Sequence, residues 1–212
     1  MNMTFINFIQ KYMQLGLFTL CISLFFISCG GNSEPKNPSP NSDSSLAKPN
    51  NISIEQISAL IESEPENSQL YYERALAFYE YGDLSAALND FDKTISLEPD
   101  FASAYHDRGI CKLELDMPDK ALLDFNEAIK LDDQYHEAYF NRALAHDALG
   151  NQKAALADLD EAIRINPEFG DAYYNRAVYQ LNTNREKACS DFKKAEELGI
   201  AEAGLTMREY CK

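Results

Sequence analysis

The sequence predicts an all-α fold, an α-solenoid of four helix–turn–helix units with a capping helix at each end. The first observation is a repeat, because a tyrosine and an arginine three residues later recur every 34 positions. A fixed period of this size indicates stacked structural repeats. The repeated pairs are Tyr71 and Arg74, Tyr105 and Arg108, Tyr139 and Arg142, and Tyr173 and Arg176.

The second observation is helical spacing within each unit. Tyr71, Ala75 and Phe78 stand at i, i+4 and i+7, and Ala87 begins a second series of the same kind. Glycine followed by Asp or Asn separates the two halves of a unit, and proline ends several second helices. The predicted helices are 68–81 and 84–97, 102–115 and 118–131, 136–149 and 152–165, and 170–182 and 185–198.

Shorter helices are predicted on both sides of the repeats at 68–199. In segment 52–67, an apolar stripe starting at Ile54 predicts a lone second helix over 54–64 that covers the first repeat. In segment 200–212, residues 201–210 are predicted to form a C-terminal capping helix. A solenoid needs such caps because its terminal units otherwise expose apolar faces.

Each unit has an aromatic residue, a small residue four positions later, and then Ala-x3-Phe or Ala-x3-Leu, and two units end with Pro. In this pattern the chain resembles the tetratricopeptide repeat (TPR) family. It departs from the family in having Tyr instead of Trp, Arg where Leu is usual, and Asp133 in place of a terminal proline. The resemblance implies a right-handed superhelix whose first helices line a concave surface.

The N-terminus carries the pattern of an export signal. An uncharged apolar stretch, 13–27, follows Lys11. Its end, Phe26-Ile27-Ser28-Cys29, resembles the lipobox of bacterial lipoproteins, which implies removal of a signal peptide, 1–28, and lipid on the thiol of Cys29. A plain secretory signal or an uncleaved anchor is the alternative. Residues 29–51, rich in Gly, Pro, Ser and Asn, are predicted to be a disordered tether.

By resemblance to lipoprotein sorting, Gly30 is not an inner-membrane retention signal. We therefore expect a lipid-anchored protein of the bacterial cell envelope, on the outer membrane and facing the periplasm.

The charge and the scarcity of chemical motifs limit the function classes. With 19 Lys+Arg against 34 Asp+Glu, the net charge of −15 argues against a nucleic-acid partner. The three histidines lack metal-ligand spacing, and no Gly-rich phosphate loop is present. We therefore expect no cofactor and no enzyme activity.

An aspartate follows each repeated arginine by 15 or 16 residues. We predict structural ion pairs between first and second helices, since bidentate Arg–carboxylate pairing is strong and geometrically selective. The alternative is that these arginines bind anions in a groove. The pairs are Arg74–Asp90, Arg108–Asp124, Arg142–Asp158 and Arg176–Asp191.

The TPR resemblance implies a peptide groove, carried over residue by residue to the first helices. Its members are apolar or aromatic with acidic neighbours, and none is Lys or Arg, so no clamp for a terminal carboxylate is expected. We predict a protein or peptide partner with apolar anchors and basic charge. The alternative is that many of these side chains belong to the core. The groove set is Tyr72, Leu76, His106, Ile110, Phe140, Leu144, Tyr174 and Val178.

Cysteines near the C-terminus predict a covalent link. In an oxidising compartment, a Cys189–Cys211 disulfide would hold the C-terminal cap on the last repeat. Cys111 aligns with Ala77 and Ala145, which predicts a small buried thiol.

Taken together, the sequence predicts a membrane-tethered adaptor that binds a protein segment through a concave groove. The alternative from another class is a structural subunit of an outer-membrane or pilus assembly complex. A third possibility is a regulatory partner of an envelope enzyme.

Overall fold

The computed structural model describes residues 53–211, which form ten helices and contain no strand. The all-α solenoid prediction is confirmed, and every predicted repeat helix lies within two residues of an observed one. The helices are α1 (Ile54–Ser63), α2 (Ser68–Tyr81), α3 (Leu84–Leu97), α4 (Ala102–Glu114), α5 (Pro118–Leu131), α6 (His136–Ala148), α7 (Gln152–Ile165), α8 (Gly170–Gln180), α9 (Arg185–Glu197) and α10 (Ala201–Tyr210).

Helices α2 to α9 form four units of a first and a second helix. Gly82 and Gly150 end the first helices of units one and three with left-handed φ angles of 84° and 75°. Glycine suits these positions because it lacks a Cβ. Unit two has Asp116 at the equivalent position, with φ 57°.

Small side chains let the two helices of a unit approach each other closely. In unit one Ala75 and Ala87 are fully buried, and Phe91 fills the space beside them. Each second helix then contacts the first helix of the next unit, so the core is continuous along the solenoid.

The two outer helices occupy the places that another repeat would fill. Ile57 on α1 precedes Phe91 by one repeat length and is equally buried, so α1 is equivalent to a second helix. At the other end, α10 buries Ala203 and Gly204 against the last unit.

Some predictions fall outside the described residues, namely the signal peptide 1–28, the lipidated Cys29 and the tether 29–51. Within 53–211, none of the helices combines the length and the apolar character required to cross a bilayer.

Candidate protein-binding surface

The four repeated arginines join neighbouring helices. Within its own unit, each donates from Nε and Nη2 to the two oxygens of one aspartate, at 2.6 to 3.0 Å. Their side chains are only 12–20% exposed, so the guanidinium groups do not lie in open solvent. The pairs are Arg74–Asp90, Arg108–Asp124, Arg142–Asp158 and Arg176–Asp191.

A third nitrogen of each arginine reaches back to the preceding second helix. Nη1 of Arg108 lies 2.6 Å from Asp92 on α3. The other three arginines make the same kind of contact, and each guanidinium also lies 5.3–5.8 Å from the ring centroid of the preceding tyrosine. Their Nη1 acceptors are Ser58 for Arg74, Asn126 for Arg142 and Asp160 for Arg176.

These contacts favour the charged form of Arg108. Burial of the Arg108 guanidinium acts to lower its pKa, but the hydrogen bonds and charge of Asp124 and Asp92 outweigh it, and the pKa is raised above its usual value. With Nε, Nη1 and Nη2 all donating to protein groups, the arrangement is that of a structural joint and not of an anion site.

The surface formed by the first helices, called here the first-helix face, is polar and closed in units one and two. Tyr72 Oη donates to Asp107 Oδ2 at 2.6 Å, and His106 Nδ1 lies 2.8 Å from Asp107 Oδ1. Asn141 Nδ2 lies 2.9 Å from His106 Nε2. Burial, aided by the charge of Asp107, raises the pKa of Tyr72, which keeps its hydroxyl a donor.

Two members of the predicted groove are core residues. His106 is 6% exposed and Leu76 is 9% exposed, so a ligand cannot reach them in this conformation. Leu76 belongs to the core cluster that contains Phe91. His106 lies at another helix position, which contacts the residue that precedes the next first helix. His106 packs on Tyr135 and Tyr72 packs on Phe101, each with ring centroids 4.7 Å apart.

Beyond His106, the first-helix face becomes apolar. Phe140 has no hydrogen-bonding group, and Asn175, the equivalent of Asp107, donates to the backbone oxygen of Asp171 instead. The remaining members of the predicted groove are half-buried: Tyr72, Ile110, Phe140, Leu144, Tyr174 and Val178. Four of these six lie in units three and four.

The His106–Asp107 pair has the composition of an acid–base dyad but not its accessibility. His106 is buried, and its second ring nitrogen is engaged by Asn141. Among residues 53–211, no group of His, Cys, Asp and Glu is arranged to hold a metal ion. This network was not predicted from the sequence, although the spacing of 35 residues shared by Tyr72–Asp107 and His106–Asn141 is a signal for it.

The cysteines of the described region differ in state. Cys189 on α9 and Cys211 after α10 are joined as a disulfide, with Cα atoms 5.7 Å apart. Cys111 is free and fully buried, and burial raises the pKa of its thiol to about 12.

Family comparison agrees with this architecture. Two tetratricopeptide repeat models match the chain, one at 136–169 and the other at 51–100 and 72–136, and together they cover more than half of it. The chain belongs to the tetratricopeptide repeat family. This membership implies a scaffold for protein–protein interaction, and TPR proteins are in general not enzymes.

Solved TPR structures share the fold. A crystal structure of MamA is 24% identical with a TM-score of 0.64, covering 71% of this chain and 89% of that one. The Arabidopsis OM64 TPR domain is 27% identical with a TM-score of 0.53, covering 54% and 95%. The first TPR of Spaghetti (RPAP3), bound to an HSP90 peptide, is 20% identical with a TM-score of 0.53, covering 54% and 91%. No curated protein sequence matches this chain.

Proposed function

We propose that this TPR protein is an adaptor that binds a protein segment through the first-helix face of units three and four. The observation that carries the proposal is the change of that face at Phe140. Before it, hydrogen bonds between units tie the polar groups of the surface together, and after it follow four of the six half-buried groove residues, Phe140, Leu144, Tyr174 and Val178. A rigid apolar surface of this kind lowers the ordering cost of binding.

The proposed partner has apolar anchors and basic charge. The chain has a net charge of −15, which favours a positively charged segment and disfavours an acidic one. The HSP90 peptide bound by the RPAP3 domain, SRMEEVD, is acidic. None of the predicted groove residues here is Lys or Arg, so we expect this chain to prefer a different class of peptide.

Site-specific photocrosslinking tests the binding surface. A photoreactive residue in place of Leu144 should capture a partner in cells, whereas the same residue in place of Leu123, which is 69% exposed on α5, should not. Capture should decrease as salt increases, because the proposed attraction is partly between charges. Capture at Leu123 alone, in a stable stoichiometric complex, would instead support the structural subunit of an envelope assembly.

We also propose that the adaptor is held on the outer membrane, facing the periplasm, by lipid on Cys29. The support is the Phe26-Ile27-Ser28-Cys29 motif and the apolar stretch before it. Several acyl chains anchor a protein stably where one chain is marginal. Cys29→Ala should move the protein from the detergent phase to the aqueous phase on partitioning, with Cys21→Ala as the matched control. An unchanged Cys29→Ala variant would exclude lipidation at this residue.

A further inference from the structure

A second apolar surface lies away from the first-helix face of units three and four. We call it the turn edge, and it consists of residues 80–83 and 114–119 in the turns between the two helices of units one and two. Tyr81 is 86% exposed, Leu115 38% and Met117 37%. They are three of the seven large hydrophobic residues exposed in the described region. Large exposed apolar residues gathered in neighbouring turns are a feature of interaction sites.

The two turns are neighbours in space. Tyr79 Oη donates to Glu114 Oε1 at 2.5 Å, which fixes the C-terminal end of α2 beside that of α4. Tyr81 and Leu115 are equivalent residues, one repeat length apart. The next equivalent, Leu149, is half-buried, and unit four has Asn182 and Thr183 there, so the apolar surface is confined to units one and two.

Acidic residues surround these apolar side chains. Glu80, Asp83, Asp116 and Asp119 are exposed, and neither segment of the turn edge contains Lys or Arg. Two copies of this surface would set acidic residues against one another, which is unfavourable. The charge therefore selects a basic partner over a second copy of the chain.

We propose that the turn edge is a second docking surface, for an amphipathic helix with apolar anchors flanked by Lys or Arg. Tyr81, Leu115 and Met117 receive the apolar face of the helix, and the four carboxylates attract its flanks. The surface belongs to units one and two and does not depend on the groove of units three and four. An adaptor with both surfaces holds two segments, or two parts of one partner, at a fixed separation.

The first test removes charge. The probe is a fluorescent helical peptide of Leu and Lys with apolar anchors at i, i+3, i+4 and i+7, titrated with the full chain in detergent. We expect Glu80→Gln/Asp116→Asn/Asp119→Asn to weaken binding about fivefold or more, because it removes carboxylates beside the anchors. The matched control, Asp100→Asn/Asp133→Asn/Glu168→Gln, also removes three exposed carboxylates, but from the turns between units. Equal weakening by both variants would mean non-specific attraction and would overturn the proposal.

The second test removes the anchors. Tyr81→Ala/Leu115→Ala should weaken peptide binding about fivefold or more. The control Leu123→Ala/Leu131→Ala, on the exposed side of α5, should change the affinity less than about twofold. The Leu144→Ser variant alters the proposed groove and not the turn edge, so it shows which of the two surfaces binds the peptide. If only Leu144→Ser weakens the peptide, the groove is supported and the turn edge is excluded. Self-association that Tyr81→Ala/Leu115→Ala abolishes, seen by sedimentation, would also overturn the proposal in favour of a second copy.

Discussion

Arg108 on α4 and Asp124 on α5 form a two-pronged ion pair, with Nε to Oδ2 at 3.0 Å and Nη2 to Oδ1 at 2.6 Å. The same guanidinium reaches Asp92 on α3 through Nη1. One side chain thus fixes the two helices of its own unit and the second helix of the unit before. Every unit repeats this joint, so each first helix is linked both to its own second helix and to the second helix before it.

Asp124→Asn should destabilise the protein by about 2–4 kcal/mol, because it leaves the partly buried Lys112 without a charged partner and Arg108 with only the exposed Asp92. The measurement is urea unfolding followed by circular dichroism. The matched control is Asp92→Asn, which removes a carboxylate from the same arginine. The Asp92 side chain is 62% exposed and should contribute only about 0–1 kcal/mol. Similar losses of unfolding free energy in Asp124→Asn and Asp92→Asn would contradict the prediction that Asp124 contributes more.

The helix ends and the main ion pairs could be predicted from sequence because they depend on local rules. Gly82 permits a left-handed turn and Pro99 cannot continue a helix, whatever surrounds them. The spacing of 16 residues from Arg108 to Asp124 likewise follows from a single helix pair. Arg108 is also 16 residues from Asp92, in the other direction, and this spacing indicates the contact with α3, which was not predicted.

The groove was harder to predict because it depends on hydrogen bonds between units. His106 and Phe140 occupy equivalent positions, and each packs on the aromatic residue before the next first helix, Tyr135 or Phe169. His106 is also bonded to Asn141 and is buried, whereas Phe140 cannot form such a bond and is half-buried. Repeat alignment alone gives both residues the same role.

Gly109→Ala should destabilise the fold although alanine is the better helix former by about 1 kcal/mol. A Cβ at this position would lie 2.6 Å from Cε1 of the fully buried Phe125. Overpacking of this kind costs about 1–3 kcal/mol, so after the gain in helix propensity we expect a net destabilisation of up to about 2 kcal/mol. Thermal and urea unfolding measure it.

The third unit supplies the control for this prediction, since it pairs Ala143 with Leu159 where unit two pairs Gly109 with Phe125. In Gly109→Ala/Phe125→Leu, the smaller side chain should relieve the contact. We expect the double variant to lose about 1–2 kcal/mol less unfolding free energy than the two single variants lose in sum. If the two losses of unfolding free energy are strictly additive, the Phe125 side chain moves away from the new Cβ at no cost, and the prediction is wrong.

Loss of the Cys189–Cys211 disulfide should loosen the C-terminal cap. The bond closes a loop with a sequence separation of 22, for which chain entropy gives about 3 kcal/mol. In Cys211→Ser, hydrogen exchange should accelerate in α10, while α2 to α5 keep their protection because distant units of a solenoid are weakly coupled. Cys111→Ala is the control that leaves the bond intact. Alkylation of both Cys189 and Cys211 without reductant would show that the bond does not form in solution.

Stability should fall at alkaline pH partly through Cys111. Burial raises the pKa of its thiol from 9.0 to about 12, so the folded protein holds a proton that the unfolded chain releases. This contribution is fully present below pH 9.0 and is lost as the pH rises towards 12. Near pH 10 the loss should be about 1 kcal/mol.

Cys111→Ala, which copies Ala77 and Ala145 of the neighbouring units, should reduce the fall in thermal stability between about pH 8 and pH 10 by that amount. An identical fall in both proteins would assign the alkaline loss to other groups, such as the half-buried Tyr72 and Tyr135, whose pKa values are also raised by burial.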